Sequence, residues 1–348
     1  MRKILITGNM GYIGPACADQ LKQAFPDAKI IGFDTAYFAH CLTTGDQLPE
    51  RRIDGQIFGD VRSLDPEVLA GIDAVVHLAA ISNDPMGNRF EAVTRQVNFE
   101  SGVSIARAAK HAGVKAFVFA SSCSVYGFAE GGPRKESDPL NPLTAYARSK
   151  IDCEAALASL ADSSFTITAL RFATACGWSE RLRLDLVLND FVAGAVSAGE
   201  ISILSDGTPW RPLIEVRDMA RAIEWAICRD TAAGAFLSLN AGSAAWNYQV
   251  IELAEAVARV VPGTKISVNP HAMPDKRSYR VDFSMYARLA PQHQPQIDLD
   301  RAVRDLCSGL NRTGFRDKDF RSSSLIRLRV LASHLESGRL DSNLMWAA

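Results

Sequence analysis

The run Lys3-Ile4-Leu5-Ile6-Thr7-Gly8-Asn9-Met10-Gly11-Tyr12-Ile13-Gly14 joins an apolar strand to three glycines at GxxGxxG spacing, and a helical pattern follows at once. Consecutive apolar residues fit a strand buried on both faces, as in a parallel sheet. Glycines at a strand-to-helix turn let backbone N–H groups approach a pyrophosphate at the helix N-terminus, where Cβ atoms would obstruct it. Pro15 falls in the first helical turn, where a missing N–H costs little. Gly8, Gly11, Tyr12, Ile13 and Gly14 are therefore candidate contacts to a dinucleotide.

Outward from this turn, Lys29–Asp34, Ile57–Asp60, Ala74–Leu78, Phe117–Ser121 and Phe165–Arg171 read as further buried strands. Amphipathic stretches such as Phe99–His111 and Tyr146–Leu160 lie between them. This alternation predicts an α/β fold, a Rossmann-type doubly wound parallel sheet with a smaller interleaved C-terminal substrate domain. In the second half, Leu182–Ala198 and Asn247–Val260 read as helices, and Ile201–Leu204 and Lys265–Asn269 as short strands. The expected division is 1–175 plus about 212–245 for the dinucleotide, about 176–211 and 246–314 for the substrate, and 315–348 as a helical extension.

Asp34 ends the second strand 20 residues after Gly14, where a carboxylate can hold both ribose hydroxyls of NAD. Thr35 rather than an arginine follows, so nothing greets a 2′-phosphate and NAD is preferred over NADP. Asp60 and Val61 end the third strand, at the expected adenine edge.

The composition narrows the function. Of 348 residues, 47% are hydrophobic and 22% charged, ample for a core. The 38 basic and 39 acidic residues give a net charge of −1 without a basic block, which argues against nucleic acid. No apolar run reaches the roughly 18–20 residues of a membrane span, and Ile4-Leu5-Ile6 is too short for a signal peptide. The seven cysteines form no C-x-x-C pair, and the six histidines have no ligand spacing. The expectation is a cytoplasmic protein with reduced thiols, no metal and no membrane contact.

Tyr146-Ala147-Arg148-Ser149-Lys150 places a phenol and an amine on one face of a helix. A free tyrosine, with a pKa near 10, is a feeble base at neutral pH. A neighbouring lysine, together with the positive nicotinamide ring, would stabilise its phenolate. Just upstream, Ser121-Ser122-Cys123-Ser124-Val125-Tyr126-Gly127 brings hydroxyls to a strand end.

Through these and further motifs the chain from Met1 to about Asn311 resembles the extended short-chain dehydrogenase/reductases, in particular the NAD-dependent nucleotide-sugar epimerase/dehydratase group. The resemblance rests on TGxxGxxG (Thr7–Gly14), HLAA (His77–Ala80), Val97-Asn98, SSxxVYG (Ser121–Gly127), YxxxK, and RPLIxVxD (Arg211–Asp218). It implies a catalytic set of Ser122, Tyr146 and Lys150. Ser122 would bond the reacting hydroxyl or ketone, Tyr146 would move its proton, and Lys150 would tune Tyr146 and hold the nicotinamide ribose. It further implies Leu78, Ala79, Ala80 and Asn98 at the cofactor, and Ser82, Ser124, Thr174, Asn189, Arg211, Asp275 and Tyr279 at the nucleotide sugar. Arg211 suits the diphosphate, because a guanidinium fork meets two oxygens at once.

The residues after Ser122 discriminate between reactions. Sugar 4,6-dehydratases resemble STDEVY, with an acid/base carboxylate pair; Cys123 and Ser124 stand there instead. Enzymes that also epimerise C3 or C5 carry cysteine two places before the tyrosine, the position of Ser124, so Cys123 should point away. What remains is hydride traffic at one carbinol carbon: 4-epimerisation through a 4-keto sugar, or alternatively a nucleotide-sugar 4-dehydrogenase or ketoreductase with the same residues. A non-catalytic NAD-sensing regulator is a more remote reading, since such proteins commonly lose the tyrosine or lysine.

The chain departs from the family pattern in four places, one of them a long loop, Tyr37–Gln56, between the second and third strands, close to where the adenosine half would sit. Thr174 replaces an asparagine that helps hold UDP-hexoses. Ala272 replaces an arginine, for which Lys276, Arg277 or the pair Arg181/Arg183 could substitute. The extension from Phe315 carries a stripe of Leu325, Leu328 and Leu335, expected to pack on the substrate domain or a second subunit. The resemblance also implies a homodimer through Phe99–His111 and Tyr146–Leu160.

Overall fold

The structure, a computed structural model, describes residues 2–43, 48–129, 131–269, 272 and 278–347. In chain order it contains β1 (Lys3–Thr7), α1 (Gly14–Ala24), β2 (Lys29–Asp34), β3 (Gly55–Phe58), β4 (Ala74–His77), α2 (Asp84–Arg89), α3 (Glu91–Arg95), α4 (Ser101–His111), β5 (Ala116–Ser122), α5 (Ala145–Ala158) and β6 (Thr166–Phe172). Then follow β7 (Thr174–Cys176), α6 (Val187–Ala198), β8 (Glu200–Ile203), β9 (Trp210–Glu215), α7 (Val216–Cys228), β10 (Phe236–Ala241), β11 (Asn247–Gln249), α8 (Val250–Val260), β12 (Lys265–Val268), α9 (Ser284–Leu289), α10 (Leu299–Arg312) and α11 (Arg327–Glu336).

Seven strands form one parallel sheet in the order β10-β6-β5-β4-β1-β2-β3. Ile4, Leu5 and Ile6 are all fully buried because alternate side chains enter opposite layers. Ile4 and Ile6 pack with Leu21 of α1 and Ile223 of α7. Leu5 packs on the other face with Ala106 of α4 and Leu157 of α5. The strand order reverses between β1 and β4, so a crevice opens at their carboxyl ends, the usual ligand position in such sheets.

A third core, built from Phe191 and Val192 of α6, Leu253 and Val257 of α8, and Leu306 and Leu310 of α10, lies over that edge. A small sheet β11-β9-β7 and the pair β12-β8 belong to this region.

Several elements differ from what the sequence predicts. Strand β3 ends at Phe58, because the Asp60 carboxylate accepts the Arg62 amide and starts a tight turn. Residues 182–186 are irregular and bent rather than helical: Leu184 donates to Leu325 O, and the Arg327 guanidinium donates to Arg181 O and Leu182 O. Residues 247–249 pair with β9, and α8 begins only after Gln249, which forms a capping box with Glu252. The extension divides between two layers. Leu325 packs beside the third core, while Leu328 and Leu335 pack against the sheet core that contains Leu5 and Phe33. Part of the extension therefore lies against the sheet side of the molecule.

Candidate active site

The carboxyl edge of the sheet borders a cavity of about 640 Å³ that runs from the glycine turn to the third core. Gly8 has φ +77°, and a Cβ there would lie 2.5 Å from the backbone N of Ala79. At Gly14, a Cβ would sit 1.7 Å from the carbonyl oxygen of Asn9. Only glycine permits this approach of the first turn to the β4 loop. Gly8, Gly11, Tyr12, Ile13, Leu78, Ala79 and Ala80 line the cavity; Gly14 instead lets the turn close against Asn9.

Asp34 lines the same end. Its carboxylate accepts the Met10 amide at 3.0 Å and the Ala36 amide at 2.7 Å, while burial raises its pKa. Asp60 and Val61 also line it, but the Asp60 carboxylate is gripped by Arg62, from Nε at 3.0 Å and Nη2 at 2.6 Å. Asn98 does not line the cavity. From a π-helical turn at Gln96–Glu100 it accepts the Ile81 amide at 2.8 Å and donates to Ile81 O and to Ser149 Oγ. One amide thus ties the β4 loop to the helix that carries Tyr146 and Lys150.

That helix, α5, is capped by Thr144, whose Oγ1 accepts the Ala147 amide and donates to Asp84 at 2.7 Å. Tyr146 faces the cavity beside Ser122, whose hydroxyl favours the phenolate. Ser122 ends β5 and accepts the Ser124 amide at 3.1 Å. Lys150 is 2% exposed and donates to Ala120 O at 2.7 Å, with Nζ 4.7 Å above the Phe119 ring and 5.6 Å from the Tyr146 ring centre. Ser122, Tyr146 and Lys150 therefore share one wall.

Burial sets their acidities. It pushes the Tyr146 phenol up to about 12, with the Ser122 hydroxyl and the Arg183 charge pulling back. It draws the Lys150 amine down to about 8. Among the charges around the phenol, Arg183 opposes the rise and Asp84 adds to it. The Lys150 environment includes His77, kept neutral by burial, which lowers its pKa to about 3. His77 Nδ1 is bonded to Thr7 Oγ1 at 2.7 Å and so links β4 to β1.

At the other end, Ser82, Ser124, Thr174, Arg211 and Tyr279 line the cavity. The Ser124 Oγ is buried with no hydrogen-bond partner among the described residues. Cys123 does point away, its Sγ donating to Arg171 O at 3.0 Å. Asn189 is fully buried and does not reach the cavity: it donates to Tyr12 OH and Arg183 O and accepts the Gly177 amide. Asp275, like Lys276 and Arg277, lies outside the described residues.

Of the two arginines considered as substitutes, Arg181 is sealed onto Glu50, Phe38 O and Ala39 O. Arg183 lines the cavity, forked onto Asp185 at 2.9 Å from Nε and from Nη2, with Nη1 donating to Ser82 at 2.9 Å. Asp185 also accepts from Asn83. Asn83, Asp84, Asp185 and Arg321 line the cavity too and escaped the sequence reading. The alternation of charges in Arg181-Leu182-Arg183-Leu184-Asp185 was the available signal for Asp185.

A sequence profile described as the NAD dependent epimerase/dehydratase family matches residues 4–242. The chain belongs to this family. It is an NAD-dependent enzyme of the extended short-chain dehydrogenase/reductase type. Relatives of this epimerase/dehydratase include an uncharacterized UDP-glucose epimerase, YtcB, of Bacillus subtilis, 28% identical over 74% of this chain and 82% of the relative. A UDP-glucose 4-epimerase of Lactobacillus helveticus is 27% identical over 79% of this chain and 85% of that one. Among solved structures, MoeE5 in complex with UDP-glucose and NAD superposes with a TM-score of 0.76 at 23% identity, covering 89% of this chain and 99% of MoeE5. The UDP-glucuronic acid 4-epimerase of Bacillus cereus, with UDP-glucuronic acid and NAD, gives 0.76 at 21% identity, covering 89% and 99%.

Proposed function

We propose that this epimerase/dehydratase inverts C4 of a nucleotide-diphosphate sugar, with Tyr146 as the proton acceptor and donor. One observation carries the reading: the glycine cradle and the Ser122–Tyr146 pair open onto the same cavity. The cradle fits NAD because a Cβ at Gly8 would fill the gap to Ala79. Gly8, Gly11, Tyr12 and Ile13 would hold the pyrophosphate, Asp34 the adenosine ribose, and Lys150 the nicotinamide ribose. Bound NAD supplies a reversible hydride acceptor and a positive charge beside the phenol.

Ser122 would hold the C4 oxygen by a hydrogen bond while Tyr146 removes its proton. The substrate carbon becomes a ketone, and the same phenol returns the proton when hydride comes back to the other face of the sugar. Neither Cys123, turned to Arg171 O, nor Ser124 can supply the acid/base pair of a 4,6-elimination. Arg211, Thr174, Tyr279, Ser82 and the open hydroxyl of Ser124 would line the sugar nucleotide. The relatives named UDP-glucose 4-epimerase support a UDP-sugar as the first probe.

The functional form in this reading is a homodimer through α4 and α5, whose outer faces present Ser104, Arg107, Asp152 and Ala155. Five of the seven thiols are buried, in keeping with a reducing cytoplasm.

The test is incubation with NAD and a panel of UDP-sugars, followed by product analysis. The 4-epimer should form without net NADH. Net NADH without an epimer would make the protein a dehydrogenase, and no turnover with any sugar nucleotide would end the reading.

A further inference from the structure

The segment after α10 lies beyond the matched family region, which ends at residue 242. Its last part folds onto the end of the cavity opposite the substrate. Trp346 Nε1 donates to Thr35 O at 2.7 Å, one residue past Asp34. The Trp346 ring lies 5.6 Å from that of Tyr37 and 5.1 Å from that of His334. His334 Nε2 donates to Tyr37 O at 2.9 Å, and the Tyr37 hydroxyl donates to Leu344 O. Arg62, while gripping Asp60, also donates to Asn343 O at 2.7 Å and to Leu344 O at 3.3 Å.

Thr35, Tyr37 and Asp60 all line the cavity. Each is thus held from behind by residues 334–346. Leu340 and Leu344 fix the segment in place, being buried in the core that contains Phe33, Tyr37 and Val61.

We propose that the segment 334–346 is a strap that preorganises the adenosine half of the NAD site, with Trp346 and Arg62 as positioning residues. The gain is entropic. The turn after β2 includes Ala36 at φ +62°, a conformation unfavourable to a residue with a Cβ. Outside contacts that hold this turn spare the dinucleotide the cost of ordering it on binding. Asp60 is likewise held in one rotamer by Arg62, so its orientation does not wait for the adenine. The inference rests on the adenosine half lying at Asp34, as proposed above.

The test compares binding of ADP-ribose, nicotinamide mononucleotide and UDP by calorimetry in the full chain, in Trp346→Ala, in a chain ending at Gly338, and in Asp34→Ala. Trp346 is 43% exposed, so its replacement tests the strap even if the shortened chain fails to fold. In Trp346→Ala, ADP-ribose should weaken about tenfold, the scale of one lost anchor plus a reordered loop, while the other two probes shift less than about twofold. Unchanged ADP-ribose affinity in Trp346→Ala, with a loss in Asp34→Ala, would overturn the strap alone. An unchanged value in Asp34→Ala would overturn the placement of the adenosine as well. Parallel weakening of ADP-ribose and UDP would show general destabilisation and would also overturn the proposal.

Discussion

Tyr146 and Lys150 are pushed in opposite directions by the same burial: the phenol up to about 12, the amine down to about 8. In the cofactor-free chain the phenol is therefore protonated at neutral pH, and its use as a base depends on charge brought in by the cofactor. Tyr146→Phe should lower kcat by roughly 10²–10⁴, the usual worth of a positioned acid/base group, with an unchanged melting curve. Lys150 gives a pH signature. Its folded pKa lies below that of the unfolded chain, so between about pH 8 and 10.5 the unfolded state holds the extra proton and stability rises with pH. Below that window the cost of burying the ammonium is constant. Lys150→Met should therefore melt higher than the parent at pH 7, with the gap closing as pH rises through this window. A gap independent of pH would contradict it. At this scale the spacing of Gly8, Gly11, Tyr146 and Lys150 was legible because each is tied to neighbours within a turn or two. The structural places of Asn98 and Asn189, both expected at a ligand, were not. Their amides close long-range networks, to Ile81 and Ser149 and to Tyr12 and Arg183, which no local pattern encodes.

Elements β5, β6, β10 and α5 are clamped beneath the site by one buried ion pair. Arg171 forks onto Glu154, with Nη2 2.7 Å from Oε2, and both side chains are 6% exposed. Ser121 and Ser238 also donate to Glu154. Removing one partner leaves a buried charge, so Glu154→Ala should destabilise by about 3–5 kcal/mol in urea unfolding. The double replacement Arg171→Leu with Glu154→Leu should cost less than the single change; a cost equal to the sum would contradict this. Near the turn, Gly14→Ala forces a Cβ onto Asn9 O and should abolish NAD binding or the fold itself. Element types came through in the sequence wherever apolar runs were continuous, as in β1, β2 and β4. The stretch 182–186 misled because its apolar Leu182, Leu184 and Leu186 run straight into the helix that begins at Val187, whereas contacts from Arg327 and Leu325 hold it irregular.

For the whole molecule, the parallel sheet was readable from strand–helix alternation, but the course of the extension was not. Its leucine stripe announces an apolar face without naming the surface it meets. The proposed dimer predicts an elution mass, by light scattering, of twice the chain, and Ala155→Arg on the outer face of α5 should split it to monomers with the fold intact. A monomeric parent would contradict that assembly. The proposed epimerisation depends on hydride leaving and returning at one carbon, with Tyr146 handling only the hydroxyl proton. The most direct measurement uses a UDP-hexose deuterated at C4, with NAD, followed by NMR of the 4-epimer. The label should remain at C4 in both epimers, and Tyr146→Phe should stop its transfer. Loss of deuterium to water, or an epimer made by the variant at the parent rate, would contradict the account.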